Sequence, residues 1–139
     1  MTSSELYHAF GLEGYQTVAT RFEGGKIILE VESTRPARCA ACGSSRVVGF
    51  GRFPREFKAC PVGNKQVVVR SSIQRVKCCA CALVRQVKIG FAAPRRHYIK
   101  RLAKYVLFLL RCATIKDVAA AVGLSWDVVK DIEKRYLNR

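Results

Sequence analysis

The stretch KCCACALV, Lys77 to Val84, places cysteines at 78, 79 and 81, and which of them act together decides how the chain is built. Cys78 and Cys81 repeat the spacing of Cys39 and Cys42 in RCAACGSS. Two such pairs supply the four thiolates of a tetrahedral zinc site, with Zn–S near ~2.3 Å. The two-residue spacer lets the chain curl so that both sulfurs face one ion while backbone N–H groups point at them. Gly43 follows the second ligand, where such a knuckle favours positive φ. Ala82 holds the matching place in the second knuckle, so its turn is expected to be made differently. Cys79 adjoins Cys78 and lies one residue from Cys81, too close to share a metal easily with either, and reads as a spectator in the core or at the surface. The 35 residues between the knuckles exceed a usual ribbon spacer, and an inserted hairpin accounts for them.

Two unrelated buried cysteine pairs are the competing reading. A redox Cys-x-x-Cys is disfavoured, because no βαβ pattern surrounds either pair. Cys60 and Cys112 lack a partner pattern and are expected in the core; His8 and His97 stand alone and read as surface or packing residues.

The 139 residues suit one domain or two small ones, and half of them are apolar. The apolar run YVLFLL, Tyr105 to Leu110, is too short to span a bilayer, and the first residues lack the pattern of a secretory signal. The chain is therefore read as cytosolic, where seven cysteines suit thiols or metal ligands better than disulfides. The formal charge of +15 is uneven. Residues 1–34 carry a net −3, whereas residues 35–111 set 18 lysines and arginines against Glu56 alone. Four thiolates around one zinc would lower the total only to about +13. Such a field calls for a polyanion, usually nucleic acid, and neither end of the chain has the basic amphipathic helix of a membrane binder.

Residues 15–32 read as a hairpin turning at Gly24-Gly25, whose acidic balance makes it a packing element. Residues 37–93 alternate short β-branched runs with turn signals such as PVGN. From Pro94 onward apolar residues recur at helical spacing: Ile99, Leu102, Val106 and Leu109, with Arg101, Lys104 and Arg111 on another face. TIKDVAAAVGLSWDVVKDIEKRYL then reads as helix, tight turn, helix. Thr114 caps the first helix, Ala119 permits close approach, Gly123 makes the turn and Ser125 caps the second, with Val128, Val129 and Ile132 facing back. This is the pattern of a helix-turn-helix whose second helix enters the major groove, although an ordinary helical hairpin shares much of it.

The outward face of that second helix offers Ser125, Trp126, Lys130, Lys134 and Arg135 to phosphates and base edges. Trp126 either packs or abuts a thymine methyl or sugar, and Asp131 is expected to pair with Arg135. Arg95, Arg96, Lys100, Arg101 and Lys104 add a basic cluster at the junction.

CAACGS, then RVKCCAC before a basic stretch, then ATIKDVAAAVGLSWDVVKDIEKRYL, resembles the N-terminal region of the ISL-three family of bacterial insertion-sequence transposases. The family's usual proline inside the first knuckle is replaced here by Ala40-Ala41, and Cys79 is atypical. The resemblance implies one structural zinc on Cys39, Cys42, Cys78 and Cys81, and a DNA-reading unit over residues 114–137. It also implies double-stranded DNA as partner, specifically a terminal inverted repeat, in a bacterial, nucleoid-associated protein that dimerises, if at all, through other regions. In the family a ribonuclease-H-like domain with three metal-binding carboxylates follows. The chain stops at Arg139, so alone it is expected not to cut DNA, as either a fragment or a stand-alone relic.

The expectation is thus α+β: a β-rich, zinc-ribbon-like domain over 1–93 and a helix-turn-helix domain over 94–139. Stripping the zinc is expected to unfold residues 37–93. A transcription regulator binding an operator, or an RNA-associated zinc protein, are the alternatives.

Overall fold

The computed structural model describes residues 2–137. A short helix α1 (Ser3–Glu5), capped by Thr2, runs into a π-helical turn over Leu6–Phe10. Strands β1 (Tyr15–Glu23) and β2 (Lys26–Ser33) form an antiparallel hairpin. Both turn glycines take positive φ (57° and 75°), the conformation that matches a two-residue turn to strand twist.

Where short β-branched runs were expected, the chain makes two long strands, β3 (Val47–Val62) and β4 (Lys65–Cys78). They absorb FPREFKAC, whose proline and charges conceal a strand in the sequence. This antiparallel hairpin fills the spacer between the knuckles. β2 pairs in parallel with the first half of β4, and the short β5 (Val84–Gln86) pairs with its last residues, giving the order β1-β2-β4-β3.

Pairing register puts Leu29, Val69 and Phe57 in one row across three strands, with Val67 and Ala59 in the next. All five are buried. This face receives Leu6, Phe10 and Leu12 from the N-terminus and three helices from the C-terminal third: α2 (Lys100–Leu109), α3 (Ile115–Val122) and α4 (Trp126–Leu137). Phe91 stands edge-on to both Phe57 and Tyr15, at 5.0 Å between centroids in each case. Each large apolar side chain so buried contributes about 1.5–3 kcal/mol. One apolar cluster therefore contains residues from both sides of Pro94.

The helices are tied to the β3 edge by backbone as well. Lys58 donates its N–H to His97 O (2.8 Å) and accepts from Ile99 N (3.0 Å), so residues 97–99 continue the sheet before α2 begins. Among the described residues, no helix is long and apolar enough to cross a membrane.

Candidate metal centre and nucleic-acid interface

The two knuckles meet at the open end of the β3–β4 hairpin. Cys39 and Cys42 precede β3; Cys78 ends β4, and Cys81 sits in the turn to β5. The four sulfurs lie within 4.8 Å of one another, with Cys39–Cys81 at 3.6 Å and Cys42–Cys78 at 3.5 Å. A tetrahedron with metal–sulfur bonds of ~2.3 Å has edges of about 3.8 Å, so the set can hold one metal ion.

Each knuckle folds its own N–H groups onto its first sulfur. Ala41 N reaches Cys39 Sγ at 3.4 Å; Ala80 N and Cys81 N reach Cys78 Sγ at 3.3 and 3.4 Å. These donors favour thiolate over thiol. The Cys81 N–H, seconded by that of Ala80, holds the Cys78 thiol down to about 6. Cys39 is lowered too, first by the Cys42 N–H and then by that of Ala41. For Cys42 the Ser44 N–H pulls downward, but the Cys78 thiol and the other crowded sulfurs outweigh it and push the group up to about 11. Cys81 is also raised, because burial and its neighbours outweigh the Leu83 N–H.

The second knuckle corrects one expectation. Its turn is made in the same way as the first: Ala82 N bonds Cys78 O at 3.1 Å as Gly43 N bonds Cys39 O at 2.9 Å, with φ of 60° and 75° respectively. An alanine there carries about 1–2 kcal/mol of left-handed strain, which the hydrogen-bonded closure of the knuckle sustains. Cys79 is exposed and outside the cluster. Cys60 is half-buried against the core, but Cys112 is exposed beyond the end of α2, contrary to the core position expected of it. His8 and His97 are both exposed.

In the helical part, Thr114 Oγ1 accepts from Asp117 N (3.2 Å) and Ser125 Oγ from Val128 N (3.3 Å), so both caps form. Gly123 has φ 72° and its N–H closes α3 onto Ala119 O at 3.0 Å. Val118, Ala119 and Val122 of α3, Val129 and Ile132 of α4, and Leu102, Ala103 and Val106 of α2 bury one another. Lys58 Nζ donates to Gly123 O at 2.7 Å, and Gln66 abuts the same glycine. The β3–β4 hairpin thus grips the turn between the helices. No local pattern announces Lys58 in that role, because the contact joins residues 65 positions apart.

Burying that side of α4 leaves Ser125, Trp126, Lys130, Lys134 and Arg135 exposed. Trp126 does not pack into the core; it is 48% exposed and carries Lys130 Nζ 4.7 Å above its ring. Asp131 pairs with Arg96 at 3.6 Å instead of Arg135, whose guanidinium donates to Tyr98 Oη at 3.3 Å. Tertiary neighbours outcompete the helical i, i+4 contact. Arg101 donates to His8 O at 3.4 Å, while Lys100 and Lys104 are exposed on α2. Arg95 takes φ 62° in a turn closed by Arg96 N to Ala93 O (3.2 Å), at the position where such a turn usually carries glycine.

Residues 87–137 match the family model described as the helix-turn-helix domain of transposase family ISL3. The matched segment covers all three long helices and the loop leading into them. No curated protein and no solved structure matches the chain. The C-terminal part is accordingly a transposase-type helix-turn-helix, and the β-rich part joined to it carries four clustered cysteines that can hold a metal ion.

Proposed function

We propose that this chain is a zinc-stabilised unit that binds double-stranded DNA in a sequence-specific way, and that its target is the terminal inverted repeat of a mobile element. The observation that carries the reading is the match of residues 87–137 to a transposase helix-turn-helix. The geometry supports it: α4 is clamped along one side and presents a basic, polar and aromatic face on the other.

Ser125, Trp126 and Lys130, in the first turns of α4, reach base edges, while Lys134 and Arg135 further along contact phosphates. Arg95, Arg96, Lys100, Arg101 and Lys104 flank the duplex and add sequence-independent affinity. Arg96 and Arg135 also fix α4 against the segment before α2, through Asp131 and Tyr98. Four thiolates point to zinc, which when bound closes the two knuckles into one rigid corner and leaves no open coordination position for chemistry. A helix-turn-helix is a binding device, so cutting and joining DNA belongs to a catalytic domain of the kind that follows in transposases. The setting is the bacterial cytoplasm.

Recovery and sequencing of fragmented host DNA bound by the chain at near-physiological salt tests this. Fragments converging on the ends of a repeated element support the proposal. Convergence on a promoter makes the protein a regulator instead, and preference for structured RNA over every duplex overturns DNA recognition.

A further inference from the structure

The helix layer covers only the first half of the long hairpin face. Side chains alternate along β4, and its buried set changes sides: Val67, Val69, Ser71 and Ile73 are buried in the first half, Val76 and Cys78 in the second. Arg75 and Lys77 therefore lie on the face that the helices cover further along, yet both are exposed. Across from them, β3 carries one extra residue between Gly49 and Arg52. The bulge keeps Val48 and Phe50 on that same open face, 52% and 54% exposed, with Val48 directly opposite Lys77. Phe50 stands between Gly49 and Gly51, and Gly51 takes φ 102°, a conformation that suits glycine. An aromatic ring is held out at a bulge beside two cations.

Among the described residues, neither Arg75 nor Lys77 has a carboxylate within ion-pair distance. The single acidic residue of 35–111, Glu56, is occupied by Arg70 at 2.6 Å. Lys77 lies eight and ten residues along β4 from Val69 and Val67, which face the same side and pack against the three helices. At ~3.3 Å per residue that is about 26–33 Å, close to one ~34 Å turn of duplex.

We propose that the open end of the β3–β4 hairpin is a second contact for duplex DNA, with Arg75 and Lys77 on phosphates and Phe50 against the sugar edge. The contact lies about one helical turn from the groove taken by α4. This rests on the DNA-binding reading above. The fit is one of charge and span: an unneutralised basic face and a helix-turn-helix share one side of one hairpin.

The test uses the full zinc-loaded chain and a labelled mixed-sequence duplex of ~30 base pairs, titrated across salt concentrations. Arg75→Gln with Lys77→Gln should leave the melting temperature unchanged and make the log–log salt slope shallower by about 1.8, at ~0.9 per phosphate contact. Affinity loss between 50 and 200 mM salt then becomes about 12-fold smaller than in the parent chain. Phe50→Ala should weaken binding several-fold without changing the slope. Lys130→Gln with Lys134→Gln on α4 is the reference variant. If that variant weakens binding while the Arg75/Lys77 pair and Phe50→Ala do not, the second contact is wrong and DNA binding stands. If the parent chain binds no duplex at all, the function proposed above fails first. An effect confined to an RNA duplex, or a change in oligomeric state with DNA affinity untouched, assigns this face to RNA or to a second copy and overturns the proposal.

Discussion

Gly123→Ala tests how the helix-turn-helix is seated on the sheet. At φ 72° an L-residue carries about 1–2 kcal/mol of backbone strain, offset by ~0.4–1 kcal/mol because alanine has less freedom to lose on folding. The new Cβ would also lie 2.6 Å from Gln66 Oε1 and 2.7 Å from its Cδ. That is the far end of a flexible side chain, and moving it off its rotamer adds about 0.5–1.5 kcal/mol. The net expectation is a loss of about 1–2 kcal/mol. With ~2.1 cal/mol/K of unfolding entropy per residue over 139 residues, it lowers Tm by about 3–7 °C. Differential scanning calorimetry on the parent chain, Gly123→Ala, Gln66→Ala and the double variant separates the two causes. Gln66→Ala should recover only the collision, leaving the strain. If the double variant melts at the temperature of Gln66→Ala alone, the turn needs no left-handed residue and the clamp is misdescribed.

Serine at any of Cys39, Cys42, Cys78 or Cys81 should abolish stoichiometric metal by elemental analysis, while Cys79→Ser and Cys112→Ser keep it. Proton release on metal loading, measured by calorimetry in buffers of different ionisation enthalpy, should lie close to four per ion at pH 7.5. The reason is that the metal-free knuckles open, so Cys78 loses the N–H groups that hold it down to about 6 in the closed knuckle and its thiol returns to the ordinary value near ~8.5. Affinity should fall as pH drops below that ordinary value, because each ligating thiolate must then give up a proton. Release close to three at pH 7.5 would show that the Cys78 knuckle stays closed without the metal. Ile132→Ala, at a fully buried position of α4, should cost about 2–5 kcal/mol, and a smaller loss would mean that α4 is not packed as described.

Local devices were legible in the sequence because each is written within a few residues: the Cys-x-x-Cys knuckles, Thr114 and Ser125 as caps, Gly123 as the turn. Features that depend on the partner across space were not. The long strands escaped notice because Pro54, Glu56 and Lys58 break the β-rich pattern, yet β3 is the outer strand, where a proline and charges are tolerated. Ala82 misled because steric preference argues against a left-handed alanine, while closure of the knuckle imposes one. Asp131 has Arg135 four residues on, but Arg96 arrives from the turn before α2 and takes it. Phe50 lay inside RVVGF as one more apolar strand residue; only the bulge and the pairing register reveal that it faces outward.

Metal removal should therefore act on part of the β region, not on all of residues 37–93. β3 and β4 are 16 and 14 residues long, beyond the ~3–10 of most strands. Around Val67 and Val69 the hairpin is flanked by β2 and covered by the helices; around Val76, among the described residues, it is flanked by the three residues of β5 and the two cysteine knuckles. A ribbon so thinly flanked is marginal in water, and binding energy at a structural metal site is folding energy. Chelation should strip amide protection from residues 39–50 and 75–86 while residues 57–59, 67–69 and the three helices stay protected. Hydrogen exchange followed by mass spectrometry reads this directly. Loss of protection throughout the helices would show that the metal supports the whole core, and unchanged exchange at the knuckles would show that the thiols hold together without it. In the expected case the apo chain keeps its helix-turn-helix and loses the far end of the hairpin. Its salt slope for DNA should then fall by the same amount as in the Arg75/Lys77 variant, linking metal occupancy to the second contact.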